Sequence, residues 1–257
     1  IIKRMHNFVL SSQYKNLTTK EYGYGNHFKH EHPLNQRTLL LYYCGRAIYN
    51  LSDNYKKLKL DDRIILTAIV YMRRYYRLNS MMKTEPRFMM DAAILLASKV
   101  EEHKIDSKPD SREMIIAMET ELIKELGCYL HVTHPHDELG KYINDFKSYF
   151  RNEEQHRTFY ISTGHYLKYV YLSDVPLEHC PSNIALALIY FTGIMTEMEH
   201  ITREWFKTLK VEMAIIGEIA QKIGDAVEES QLFHSLGNKI GRLLSSISKK
   251  EVLWPPK

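Results

Sequence analysis

The chain has little of what usually announces chemistry. Three cysteines, Cys44, Cys128 and Cys180, are scattered over 257 residues, without the paired spacing that a zinc or iron–sulfur site needs. That scarcity excludes a disulfide scaffold and fits a reducing compartment. Cys44 and Cys128 stand in helical or apolar surroundings and read as small core residues. No apolar run reaches the roughly 20 residues of a membrane-spanning helix, and no secretory leader is visible. There is no dense Lys/Arg block either: 35 basic against 31 acidic residues leave a formal charge of +4, too mild for a nucleic-acid footprint. A Gly-rich phosphate loop, a nucleophile elbow, His-Glu-x-x-His and the kinase motifs are all absent. The many carboxylates fall on helix faces that read as solvated. Nothing in the chain argues for a catalytic residue, a metal site or a cofactor.

What remains is apolar material in abundance. With 44% hydrophobic and 26% charged residues the composition is that of an ordinary globular protein, long enough for one large domain or two modest ones. Val and Ile sit in 3.6-residue stripes and not in alternation, so the chain is all-α. A first long helix is predicted over 37–57, with Leu40, Leu41, Cys44, Ile48 and Leu51 on one side. Leu60 before Asp61-Asp62 reads as a hydrophobic residue outside an N-cap. The helix that follows carries Ile64, Ile65, Ala68, Ile69, Met72, Tyr75 and Tyr76 at core spacing, with Arg73, Arg74 and Arg77 near its end, where cations suit the helix dipole. Pro86 opens a third helix. Asp110 with Glu113 resembles a capping box before Ile115, Met118, Leu122, Ile123 and Leu126.

The second half repeats the plan. After the break at Thr133-His134-Pro135, helices are predicted through Leu139, Tyr142, Ile143 and Phe146, then from about 153 to 172. Pro181 opens another nearly all-apolar helix, Ile184 to Met195. When Pro86 is laid on Pro181, Ala92 falls on Ala187 but Lys99 falls on Ile194. A lysine serving only helix solvation has no reason to be confined to one repeat. The asymmetry points to the first repeat as the partner surface and the second as support. From Gly237 on the chain reads as a further helix at best, and Trp254-Pro255-Pro256 as an extended tail, since proline cannot continue a helix.

The most informative stretch is Asp91 to Glu102. A helix apolar nearly all round is a buried helix, and this one ends abruptly in Lys99-Val100-Glu101-Glu102. Leu95-Leu96-Ala97-Ser98-Lys99-Val100-Glu101-Glu102 resembles the signature of the cyclin box. Asn7 to Tyr14, Thr67 to Tyr76 with Ser80-Met81, Thr133-His134-Pro135-His136 and Arg203-Glu204-Trp205-Phe206 are similar, in order, to segments of transcription-type cyclins, the C type above all. The resemblance implies two tandem five-helix repeats, over 37–132 and 133–245. They follow an N-terminal helix (around Ser11 to Leu17) and linker over 1–36 and precede an extended tail over 246–257. It implies a nuclear regulatory subunit of a transcription-class cyclin-dependent kinase, in company with other Mediator kinase module subunits, with no nucleic-acid or membrane partner. Cyclins of the H, K, L or T types, and a scaffold use of cyclin repeats without a kinase, are the alternatives. By the same resemblance Lys99 and Glu119 form a charged pair facing the kinase, with Val100, Glu102 and Ile123 beside them. Glu121 is a rival for the Glu119 role, and a local Lys99–Glu102 pair is the plainer reading of the lysine.

Other features yield less. Tyr71-Met72-Arg73-Arg74-Tyr75-Tyr76-Arg77 could stack on and neutralise a nucleic acid, but a helix with Tyr packed inward and Arg solvated explains it better. His27, His30 and His32 are zinc-ligand types in what reads as a solvated linker. The segment 103–109 is too short for the fourth helix that cyclin C proteins place there; either that helix is missing or residues are.

Overall fold

The computed structural model describes residues 36–50, 60–79, 81, 84, 86–103 and 112–248. The expected N-terminal helix, the His27/His30/His32 stretch, Asp110, most of the short segment after Glu102 and the Trp254-Pro255-Pro256 tail lie outside them. In chain order the helices are α1 (Gln36–Asn50), α2 (Asp62–Leu78), α3 (Pro86–Val100), α4 (Arg112–Glu125), α5 (His136–Phe146), α6 (Glu153–Val170), the single turn α7 (Val175–Glu178), α8 (Pro181–Met195), α9 (Glu199–Phe206) and α10 (Met213–Ser248). No strand occurs among the described residues.

Local chemistry sets the starts. The Asp61 carboxylate accepts from the Arg63 amide at 3.0 Å, satisfying one of the orphan N–H groups of α2. Asn152 does the same for the Gln155 amide at 2.8 Å, and the Gln155 side chain accepts in return from the Arg151 amide at 3.1 Å. Pro86 and Pro181 each open a helix of fifteen residues.

The ends are as informative. At α3 the His103 amide donates to the Ser98 carbonyl at 2.8 Å and the Glu102 amide to that of Lys99 at 3.3 Å, a Schellman termination with Glu102 at φ +56°. At α8 the Met198 amide donates to Gly193 at 2.8 Å and that of Glu197 to Ile194 at 3.3 Å, with Glu197 at φ +59°. The register that lays Pro86 on Pro181 therefore also lays Glu102 on Glu197. Helix α4 ends in the same way through Gly127, at φ +58°, and carries Cys128 beyond it at φ +60°. That turn puts Cys128 on the surface, so only Cys44 is the core residue expected of both. Burial pushes the Cys44 thiol up to about 11.

Each Pro-led helix is the hub of its half. Helix α3 packs against α1, α2 and α4; α8 packs against α5, α6, α9 and α10. An unbroken run from Ile184 to Ile189 is buried, as expected of a helix surrounded by others. Trp205 is fully buried among Phe146, Phe206 and Tyr142, and its indole N–H donates to Asp145 at 2.8 Å. The halves meet where α1 touches α10 and α2 touches α7.

The first helix predicted over 37–57 is described over Gln36–Asn50, and the rest of that range lies outside the described residues. Two expectations need correction. Helix α10 is a single element through Gly237 and Gly241 to Ser248, so residues 246–248 are helical. A helix-interior glycine costs only about 1 kcal/mol, and no proline stands before Pro255 to stop it. The second concerns Arg73, which is not solvated but 5% exposed. Its Nε donates to the Tyr171 carbonyl at 2.8 Å, one terminal nitrogen donates to the Leu172 carbonyl, and the other pairs with Asp174 at 2.8 Å. It caps the turn after α6 in the opposite half, and the alternation of Tyr and Arg along α2 gives no sign of this.

Candidate functional site

On α4 the residues Ile115, Glu119 and Leu122 are buried, four and three positions apart on one inward face. Glu119 thus takes a core position. A buried carboxylate is costly unless paired and hydrogen-bonded, and the last turn of α3 supplies the partner. Lys99 Nζ donates to Glu119 Oε1 at 2.6 Å and to Oε2 at 2.7 Å. The lysine side chain stays 57% exposed while that of the glutamate is 7% exposed. An ammonium has three donors; two are spent on Glu119, and one remains for whatever approaches this end of the helix pair.

The rival arrangements are disposed of by their own contacts. Glu121 accepts from the Tyr75 hydroxyl at 2.8 Å, and that hydroxyl also meets Thr84 at 2.9 Å. Burial, and the bond to Glu121, hold the Tyr75 phenol above its ordinary range. The ammonium of Lys99 goes to Glu119, while Glu102 serves the helix termination and is exposed. Val100 and Ile123 are partly buried and packed on the core, one beside Lys99 and the other a turn beyond Glu119. The structure thus joins Lys99 to Glu119 directly, puts Val100 and Ile123 on the same two helices and places Glu102 in the turn just after α3.

Sequence reasoning missed several residues here. Met114 and Ile116 on α4 are 48% and 45% exposed, apolar groups on either side of the buried Ile115 at positions that periodicity assigns to solvent; that mismatch was the available signal. Glu101 turns inward, accepting from the Thr67 hydroxyl at 2.9 Å. Among the described residues no group of three His, Cys, Asp or Glu side chains could hold a metal ion, and no helix is long and apolar enough to cross a membrane.

Comparison with known proteins agrees with the all-α fold. Residues 5–131 match the model of the cyclin N-terminal domain. The chain is 31% identical to Cyclin-C1-1 of Arabidopsis thaliana over 74% of its own length and 77% of that protein's. It is 29% identical to Cyclin-C1-2 of the same plant, covering 91% and 97%. A chain in the structure of the CAK complex of Chaetomium thermophilum bound to ATP-gamma-S superposes with a TM-score of 0.67 at 20% identity, over 81% of this chain and 68% of that one. The all-α architecture is the cyclin fold. The chain belongs to the cyclin family, within which it is a cyclin C-like cyclin.

Proposed function

We propose that this protein is the regulatory subunit of a transcription-class cyclin-dependent kinase, that it serves in the Mediator kinase module, and that it works in the nucleus. The observation that carries the reading is the Lys99–Glu119 pair at the exit of the central helix of the first repeat, in a chain similar to proteins named Cyclin-C. An active kinase needs its strand lysine paired with the glutamate of its regulatory helix. A partner that binds the inward position of that helix more tightly shifts the equilibrium toward activity. In this role Lys99, Glu119 and Glu102 set the register of docking, while Val100 and Ile123, with Met114 and Ile116, supply apolar area.

Charge reversal at Lys99 is a poor test, because it would strand a buried carboxylate beside a second one. The double substitution Lys99→Met, Glu119→Leu replaces both charged groups by apolar side chains of similar volume, a change often close to neutral for stability. Pull-down from nuclear extract with mass spectrometry should recover a cyclin-dependent kinase with the wild-type protein and lose it with the double variant at unchanged melting temperature. Recovery of promoter factors without any kinase would leave the fold alone standing.

A further inference from the structure

Four polar side chains from four segments form a single hydrogen-bonded chain between the repeats. Thr67 of α2 is wholly buried, and its hydroxyl donates to Glu101 at 2.9 Å. A hydroxyl has one proton to give, so in its second contact, with His134 Nε2 at 2.8 Å, the imidazole must be the donor. The ring proton therefore sits on Nε2, and Nδ1 is left to accept from the Tyr171 hydroxyl. Every donor points the same way: Tyr171 to His134, His134 to Thr67, Thr67 to the Glu101 carboxylate. Hydrogen bonds in series toward a charged acceptor strengthen one another in a buried setting. Tyr171 is anchored at its other end too, since its carbonyl accepts from Arg73 at 2.8 Å. Burial, aided by the neighbouring His136 and Arg63, lowers His134 to about 4, so the ring is neutral and the pattern is whole at neutral pH.

The acceptor end of this chain is Glu101, the first residue past α3 and two beyond Lys99. We propose that Tyr171, His134 and Thr67 are positioning residues for kinase binding: through them the second repeat holds the exit turn, residues 99–103, in the geometry at which Lys99 meets Glu119. The inference rests on the kinase-binding reading of that pair, and it gives the second repeat a part in building the docking end of the first.

Two substitutions at one atom separate positioning from mere packing. Thr67→Val keeps the shape and deletes the relay; Thr67→Ser keeps the hydroxyl and deletes a methyl group. Amide hydrogen exchange, read by mass spectrometry, needs no partner. With Thr67→Val, exchange across 99–103 should accelerate about tenfold while α8 is unchanged, and with Thr67→Ser it should match wild type despite a lower melting temperature. Affinity for a recombinant transcription-class cyclin-dependent kinase should fall about tenfold for Thr67→Val alone. Unchanged protection of 99–103 in Thr67→Val, or equal acceleration in both variants, overturns the proposal. Where Thr67→Val does not fold, Tyr171→Phe removes only the first donor, and exchange across 99–103 decides in the same way. The variant Lys99→Met, Glu119→Leu keeps the two readings apart. Wild-type kinase affinity in that variant sinks the kinase-binding reading. Its loss there, beside full affinity and unchanged exchange in Thr67→Val, sinks the relay alone.

Discussion

Glu119 and Glu102 are both glutamates beside the exit of α3, and their surroundings ask opposite things of them. Glu119 is 6% exposed and is tolerable only because Lys99 covers it, so each residue's presence explains the other's. Glu102 is exposed and holds a left-handed backbone, φ +56°, that glycine adopts without cost and other residues adopt at about 1 kcal/mol. Its counterpart Glu197 does the same at φ +59°. Glu102→Gly should therefore raise the urea midpoint by the equivalent of up to about 1 kcal/mol, with Glu197→Gly following suit. A fall in kinase affinity with Glu102→Gly, despite the gain in stability, would identify the Glu102 carboxylate as what the strain is kept for; unchanged affinity would remove Glu102 from the docking surface. Of this residue-scale detail, Lys99 was legible because it interrupts an apolar helix. The choice of Glu119 over Glu121 came from the family resemblance and not from local pattern, because two positions on a helix differ by about 200° and the packing of α4 decides which one faces α3.

At the scale of elements, the repeat is expressed most clearly by α3 and α8, equal in length, both opened by proline and both closed by the same backbone turn. Periodicity and punctuation were enough to anticipate them. The crossing of α8 with α9 was not legible, since it depends on a surface with no side chain. A Cβ added at Gly193 would lie 2.5 Å from the Thr202 methyl carbon and 2.6 Å from its hydroxyl oxygen. Thr202 is fully buried and has no room to yield. Gly193→Ala should lower stability by about 1–3 kcal/mol through overpacking, against the gain that alanine brings to an ordinary helix position. A thermal melt checks it, and the pair Gly193→Ala, Thr202→Ser should recover part of the loss. An unchanged melting temperature for Gly193→Ala would mean that α9 shifts freely on α8.

At the scale of the molecule the seam between the repeats buries a set of polar groups, and this gives it a pH dependence. His134 is lowered to about 4, first by burial, then by His136, Arg63 and His131, with Asp137 opposing; Thr67 and Tyr171 are its bonded neighbours, and Glu101 lies behind Thr67. The folded value lies below that of the unfolded chain, near 6.5. The folded state therefore takes up the proton later than the unfolded state does. The contribution of His134 is whole above about pH 6.5 and is lost as pH falls toward 4, on the order of 3 kcal/mol in all. His136 is lowered in the same direction. Urea midpoints measured from pH 7 to 4 should fall more steeply in wild type than in His134→Gln, which keeps a donor and an acceptor but does not titrate. Parallel slopes would show that His134 is protonated in the folded state as readily as in the unfolded one.

By itself the sequence determined the all-α class, the duplicated plan, the starts of α2, α3 and α8, and the one lysine that sets the first repeat apart. These follow from local rules, because apolar period, capping residues and proline act within a turn or two of where they stand. The tertiary structure alone decided that Arg73 crosses to the second repeat, that Cys128 faces solvent, that α10 runs on to Ser248, and that Glu101, Thr67, His134 and Tyr171 share one chain of protons. Arg73 and Tyr171, and Thr67 and His134, are far apart in sequence and adjacent only once the helices pack. A hydrogen bond depends on position to a few tenths of an ångström, which no pattern along the chain encodes.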